Sequence, residues 1–397
     1  MRHRDHTGVE RYAALPRPEG REGAIEALQA HGFPGRRDED WYYTPTKRLL
    51  EQAFTPVVGA ARSPGEGVVL PEGDRLVFVD GLFHAGLSTV HDVLAADAPA
   101  EGLLEAPTGF DALNTALWRS GARIELTGER TTPLHLVHVS TGDHRLAAVR
   151  HRLTLSAGAK AEVVEHYLGD GGPALVTAVT ELQLEQGAEL EHLLLQAADE
   201  ASHHIHTVRV VAQAESTYRS TSVQRGAGLA RVATHVELLG EGAQTQLAGL
   251  ALGRGSRHVD HHVLVDHAVP RCRSEQDVRS VLDDTSRSVF TGKVVVRVDA
   301  QQSHSEQTNH NLLLSDDAVA HTRPQLEIYA DDVSCAHGAT VGSIDDESLF
   351  YLRQRGLSAT QARGLLMEGF ARAVLQGLPE GLHPLAEAHV AAWLEAR

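Results

Sequence analysis

A strand followed by a corner can be recognised in Thr180-Glu181-Leu182-Gln183-Leu184-Glu185-Gln186-Gly187-Ala188. Apolar and polar side chains alternate here with a period of two, which is typical of a β-strand, and small residues then mark a turn. The segment 152–159 repeats the alternation and the corner, 240–243 repeats the corner, and 294–298 repeats the alternation. The pattern predicts many short strands joined at small-residue corners.

These corners recur at nearly regular intervals. Gly158 and Gly187 are 29 residues apart, Ala214 follows Gly187 by 27 residues, and Gly187 and Gly242 are 55 residues apart. Later corners at residues 284, 300, 317 and 332 are separated by 16, 17 and 15 residues. A strand and its corner therefore take about 14–17 residues, with two corners in each full repeat, and such repeats indicate a solenoid. We expect a mainly β chain with a β-helix core.

Two other architectures compete with the β-helix. No helical pattern separates the strands after about residue 120, so a βαβ sheet is disfavoured; a single helix is expected at residues 110–118. An antiparallel sandwich has similar corner spacing and stays open, since periodicity alone favours the β-helix only modestly.

The chain divides into three segments. Residues 1–70 are expected to be helical or irregular, with a helical stripe at 24–30 and a linker from 59 to 73. Residues 71–342 form the β-helix core. Residues 343–397 are predicted to be helical, with helix N-termini at Ser343, Ser358 and Pro384. The expected apolar stripe of the central helix consists of Ala362, Leu365, Leu366, Phe370 and Ala373.

Composition narrows the functional classes. The 397 residues carry 36 Lys and Arg against 53 Asp and Glu, a formal charge of −17, which argues against nucleic acid or an anionic membrane as the main partner. No apolar run approaches the roughly 20 residues that span a bilayer. The first residues lead into no apolar segment of a secretory signal, so a cytoplasmic location is expected.

The cysteine count restricts metal chemistry. Cys272 and Cys335 are the two cysteines of the chain, too few for a disulfide framework or for a four-cysteine iron–sulfur or zinc site. Any site for a soft metal therefore needs histidine ligands, a second chain, or both.

One candidate ligand pair lies in the run Asp331-Asp332-Val333-Ser334-Cys335-Ala336-His337-Gly338-Ala339-Thr340. In a strand, Val333, Cys335 and His337 share one face. Thiolate and imidazole both bind iron and zinc, but two ligands do not close a site. From spacing alone, a buried cysteine beside a hydrogen-bonded histidine is favoured over a metal pair.

Histidine-rich runs are a second candidate. In 258–267, the side chains of His258, Asp260, His262 and Asp266 share a face that could bind a divalent metal. A face exposed to solvent is the favoured prediction there, and equally for 202–206. Serine-hydrolase, zinc-protease and phosphate-loop motifs are absent, so the sequence predicts no ATPase site, although its many carboxylates leave a polysaccharide-active β-helix enzyme as an alternative.

Several longer stretches resemble the SufB/SufD family of iron–sulfur cluster assembly scaffolds. They cover residues 256–374 almost continuously, with 324–342 the longest and 349–356 following it, and residues 36–45 near the N-terminus also match. The glycine after His337 and the low cysteine count favour the SufD branch over the SufB branch. The resemblance implies a right-handed parallel β-helix flanked by helical N-terminal and C-terminal parts.

The resemblance also implies a function and partners. The chain would be a non-catalytic scaffold subunit of a SufBCD-type complex, joined to SufB through the β-helix and to the ATPase SufC through residues 343–397. A transient iron–sulfur cluster would form at the interface with SufB, with His337 as metal ligand and Cys335 beside it. The isolated chain would hold no tightly bound cofactor and could form a homodimer.

Overall fold

The computed structural model describes residues 6–65, 67–90, 103, 107–169 and 171–396. Four helices precede the main run of strands: α1 Val9–Ala13, α2 Glu22–His31, α3 Lys47–Glu51 and α4 Phe110–Leu117. Three follow it: α5 Asp346–Gln354, α6 Ala359–Arg372 and α7 His383–Glu395. The expected helix at 110–118 is confirmed as α4.

Nineteen strands are found in the described residues. In chain order they are β1 Thr55–Pro56, β2 Asp74–Val79, β3 Leu82–Phe83, β4 Arg123–Leu126, β5 Leu134–Ser140, β6 Arg145–Leu155, β7 Lys160–Gly169, β8 Ala174–Leu184, β9 Glu189–Ala197, β10 His203–Ala212, β11 Thr217–Gln224, β12 Leu229–Leu238, β13 Gln244–Gly253, β14 His258–His267, β15 Arg273–Leu282, β16 Arg287–Val296, β17 His304–Leu313, β18 Val319–Ile328 and β19 Ser334–Gly342.

The strands form two sheets that the chain visits alternately from β4 onward, and all strand pairs in the described residues are parallel except that of β2 with β3. One sheet contains β1, β4 and the even strands from β6 to β18, and the other contains β2, β3 and the odd strands from β5 to β19. His203 is opposite Leu229 and Arg287 is opposite Val319, so one coil takes 26 residues in the first case and 32 in the second. The result is a parallel β-solenoid of about eight turns. The β-helix prediction is confirmed and the antiparallel sandwich is wrong.

Aliphatic side chains stack along the interior of the solenoid. One column lies in register through seven even strands: Leu153, Leu182, Val210, Val236, Val265, Val294 and Leu326. All but the last are buried. Full burial of such a side chain contributes roughly 1.5–3 kcal/mol, so the repeated alternation accounts for the core that joins coil to coil.

Helices cover the outer faces of the two sheets. The N-terminal helices and α4 pack on the even sheet, where Phe33 and Leu113 meet Leu175 and Leu229. Helices α6 and α7 pack on the odd sheet and bury a cluster that combines strand and helix residues: Leu193, Val223, Leu250, Val281, Met367, Ala371 and Val390. Neither outer face in this region is a bare β-sheet.

The C-terminal helices differ in part from their predicted patterns. The capping box of Ser358 and Gln361 is confirmed. The predicted cap at Ser343 is wrong, because Asp345 caps α5 and accepts from the Ser348 amide. In α6 the stripe is rotated: Leu365 is exposed, and Met367 and Ala371 face the sheet. Within the described residues, we find no helix of the length and apolarity that a bilayer crossing requires.

Candidate functional site

The solenoid ends in an open coil formed by β18 and β19, here called the terminal coil. Among the described strands, β18 pairs with β16 alone and β19 with β17 alone, so each has one unpaired edge. Every residue of β18 is at least partly exposed, and nearly all of β19 is exposed. An uncovered strand edge offers free amide and carbonyl groups to another chain.

Cys335 lies in the terminal coil at the boundary of the interior. It is a free cysteine, half-buried, and packs with Val333 against the interior core. Burial raises the pKa of its thiol, and a backbone hydrogen bond from Ser305 offsets this only in part. The thiol is therefore protonated at neutral pH and must lose that proton to bind a metal.

His337 follows two residues later on the same face of β19. The strand rise separates the two Cα atoms by about 7 Å. His337 is exposed, and in the described part of the chain no hydrogen bond or ion pair restrains its ring. The structure thus contradicts the favoured interpretation of a buried cysteine beside a hydrogen-bonded histidine, because no further coil covers this one.

A polar floor lies directly beneath the pair. Ser305 is in register with Cys335 and Gln307 with His337, and both floor residues are buried. Ser274 Oγ donates to Ser305 Oγ at 2.9 Å and lies 2.8 Å from His267 Nε2. Both amide atoms of the Gln307 side chain lack a hydrogen-bond partner. Polar side chains therefore line the interior in the coils beneath its open end.

The ligand set at this end is incomplete within one chain. Across the residues that the structure describes, no group of three or more His, Cys, Asp or Glu side chains is arranged to hold a metal ion. Cys335 and His337 offer two donors, and the open side of the terminal coil faces solvent. Additional ligands would have to come from another molecule.

The histidine-rich runs have a different environment from the predicted one. His258, Asp260 and His262 are buried on the outer face of β14, not exposed to solvent. Thr44 Oγ1 donates to Asp260, which also pairs with Arg231. The N-terminal segment covers this face. His203, His204 and His206 are also buried, so the prediction of a face exposed to solvent is wrong for 202–206 as well.

A buried polar network in the middle of the solenoid was not identified from the sequence. The Glu165 carboxylate is fully buried, accepts from Tyr167 Oη at 2.6 Å and lies 3.0 Å from His192 Nε2. His206 Nε2 lies 3.8 Å away. Burial would raise the pKa of Glu165, but His206, His192 and His151 outweigh it and hold that pKa well below its usual range. Glu165 and His192 are separated by about one coil length, and polar residues with that spacing stack on one another in the interior. The sequence alone contains this spacing.

Comparison with known proteins identifies a family for this chain. The family described as "SUF system FeS cluster assembly, SufBD core domain" matches residues 138–370. The chain is 32% identical to the iron–sulfur cluster assembly protein SufD of Escherichia coli, over 90% of this chain and 88% of the relative. A SufBD family protein of Synechocystis is 30% identical over 90% and 87%, and the chloroplastic protein ABCI7 of Arabidopsis thaliana is 27% identical over 92% and 84%.

Proposed function

The chain belongs to the SufBD family of iron–sulfur cluster assembly proteins, and from this premise we propose that it is a SufD-like scaffold subunit. It takes part in building a cluster and passes that cluster on, and it performs no catalysis itself. ATP hydrolysis is assigned to a partner, SufC, within a SufBCD-type complex. The polysaccharide-active alternative has no support from the relatives described above, which are named for cluster assembly or for their family.

The observation that carries the proposal is the incomplete ligand pair on an uncovered coil. Cys335 and His337 lie where the solenoid has free strand edges, beside the exposed apolar side chains Ile328 and Val341. A homologous β-helix such as SufB can pair with these edges and bring the missing ligands. The cluster is then cargo held between two chains.

The properties of the two donors suit transient binding. The raised thiol pKa of Cys335 makes metal binding compete with a proton, and imidazole is a weaker iron donor than thiolate. A site that uses His337 as its main ligand from this chain would release its cluster more readily than a four-thiolate site. Release is what an assembly scaffold requires.

Cluster loading of the complete complex tests the ligand assignment. His337→Ala in a complex with SufB and SufC should lower the iron and sulfide bound after anaerobic reconstitution, while Cys335→Ser should have a smaller effect. His310→Ala is the matched control, because the half-buried His310 lies on the neighbouring strand β17, where it contacts Thr340 Oγ1. Normal loading of His337→Ala, or equal losses in His337→Ala and His310→Ala, would contradict the assignment.

Helix α5 is the part of the C-terminal segment that we assign to SufC. It has no buried residue, and Phe350 and Tyr351 are 62% and 57% exposed. Deleting residues 343–397 is an unsuitable test, because α6 and α7 cover Leu193, Val223 and Leu250 of the odd sheet. The double variant Phe350→Ala/Tyr351→Ala should weaken SufC capture, whereas Tyr42→Ala, at an exposed N-terminal tyrosine, should not.

The free edges of the terminal coil also predict self-association in the absence of SufB. A second copy of the chain offers the same free edges, and a two-fold pair would cover both. We expect the isolated chain to be dimeric by light scattering, and a monodisperse monomer at high concentration would argue against this. The proposed compartment is the cytosol, although the Arabidopsis relative is chloroplastic by name.

A further inference from the structure

A cavity of about 420 Å³ lies beside the stacked corners that follow strands β7, β9, β11 and β13. None of its lining residues belongs to the terminal coil. Its lining combines small residues, three arginines and the end of α7: Gly169, Ala197, Ala198, Arg225, Arg254, Arg257, Trp393 and Ala396. Among the described residues, this lining contains no carboxylate side chain. The volume is within the range of small-molecule sites.

Two of the three arginines already have partners. Arg254 lies over the Trp393 ring at 4.6 Å and donates to the Ala396 carbonyl at 2.7 Å, which caps the end of α7. Arg257 donates to Glu200 Oε2 at 3.2 Å. These contacts hold both guanidinium groups at the cavity wall.

The guanidinium of Arg225 is different, because no carboxylate or carbonyl in the described chain accepts from it. Its backbone is fixed nonetheless: the Arg225 amide donates to the Gln196 carbonyl at 2.9 Å, and the buried Gln196 side chain bonds both backbone groups of Gly226. Gly226 has φ +82°, and a Cβ there would lie 3.1 Å from Arg257 Cδ. The corner is therefore built to place Arg225 beside Arg257.

Three guanidinium groups give the cavity a positively charged wall, with Glu200 offsetting the charge of Arg257. Burial lowers the pKa of Arg225, and the neighbouring Arg257 and Arg254 lower it further. Burial, followed by Arg225, lowers the pKa of His389 in α7 to about 4. The charged neighbours that lower these two pKa values are arginines, so positive charge is concentrated around Arg225.

We propose that this cavity binds a phosphate group, either as free phosphate or carried by a small molecule, with Arg225 as its principal ligand. Arginine matches phosphate oxygens with two parallel N–H donors, and three guanidinium groups can surround one phosphate. The small side chains of Ala197 and Ala198 and the absence of one at Gly169 leave the space that the ligand occupies. This inference does not depend on the proposed role in cluster assembly.

Titration calorimetry of the full-length chain tests the inference, with inorganic phosphate in one arm and AMP in the other at constant ionic strength. Saturable binding in either arm is expected. Tighter binding of AMP would identify a phosphate carried by a small molecule, and binding of phosphate alone would identify the free anion. Absence of saturable binding in both arms would overturn the proposal.

Two variants and a control assign the binding to the cavity. Arg225→Gln should raise the dissociation constant about tenfold or more, because it removes charge-assisted hydrogen bonds. Ala198→Glu should abolish binding by placing a carboxylate among the arginines. Arg123→Gln, at an exposed residue of β4 outside the cavity, should bind as the wild type does. Equal affinity in Arg225→Gln and Arg123→Gln, or unchanged binding in Ala198→Glu, would overturn the assignment.

Discussion

The interior of the solenoid is polar in its middle and again at its end, and the two places differ in what surrounds the polar groups. In the middle, the Glu165 carboxylate lies between coils and is bonded by Tyr167 and His192. At the end, the Gln307 amide is buried without a partner, and His337 above it faces solvent. The Glu165 carboxylate is thus bonded within the interior, whereas the Gln307 amide is not.

The exposure of His337 follows from the number of coils on each side. A middle coil is covered on both sides, so a charge survives there only with hydrogen-bond partners, and the sequence supplies them from neighbouring coils. The terminal coil is covered on one side, so its interior-facing donors are available to another molecule. The middle of the interior therefore serves stability, and its end is where binding is expected.

The largest effect is expected from removing the buried carboxylate. Glu165→Ala leaves the Tyr167 hydroxyl and His192 without their acceptor and should cost about 3–5 kcal/mol of unfolding free energy. Urea denaturation measures the loss. Glu306→Ala, at an exposed position of β17, is the control and should stay within about 0.5 kcal/mol of the wild type. Similar values for the two variants would show that the middle network is not structural.

Acid should destabilise the chain through the same interior. Burial lowers the pKa of His151 and His206 from 6.5 to about 4, so the unfolded chain takes up protons there before the folded one does. Stability is thus highest above pH 6.5 and falls towards pH 4, by about 1 kcal/mol per pH unit for each such histidine. The depressed pKa of Glu165 adds a loss below pH 4.5. Melting temperatures between pH 8 and 5 test this, and a flat profile would contradict it.

A smaller effect of opposite sign is expected beneath the terminal coil. Gln307→Leu replaces a buried amide that has no partner and should raise the unfolding free energy of the isolated chain by about 1 kcal/mol. The same substitution at Gln196, whose amide bonds Gly226, should lower it. Destabilisation by both variants would mean that the floor at Gln307 is as fully bonded as the corner at Gln196.

The smallest effects on stability belong to the proposed ligands. His337→Ala removes an exposed ring and Cys335→Ser changes one half-buried atom, so each should stay within about 0.5 kcal/mol of the wild type. Thermal melts of the isolated chain would establish this alongside the loading experiment. Unfolding of His337→Ala would instead make this histidine structural, and the contrast with Glu165 would fail.

Much of this organisation follows from sequence patterns that depend on local geometry. Alternation with a period of two gives the strands, and the corner spacing gives the number of residues in a coil. The box at Ser358 and Gln361 gives the start of α6, because a cap is satisfied within one turn of helix. The placement of Cys335 and His337 on one face of β19 follows in the same way.

Burial of the histidines could not be predicted from those patterns. Alternation separates the two faces of β14 but does not reveal what covers either face. The outer face of β14 is covered by Thr44, which lies 216 positions before its partner Asp260. His337 is exposed because no further coil follows β19 to cover it. The sequence by itself therefore determined the repeat and the ligand types. Only the tertiary structure decided which imidazoles are enclosed and which are open, because enclosure depends on contacts between segments far apart in the chain.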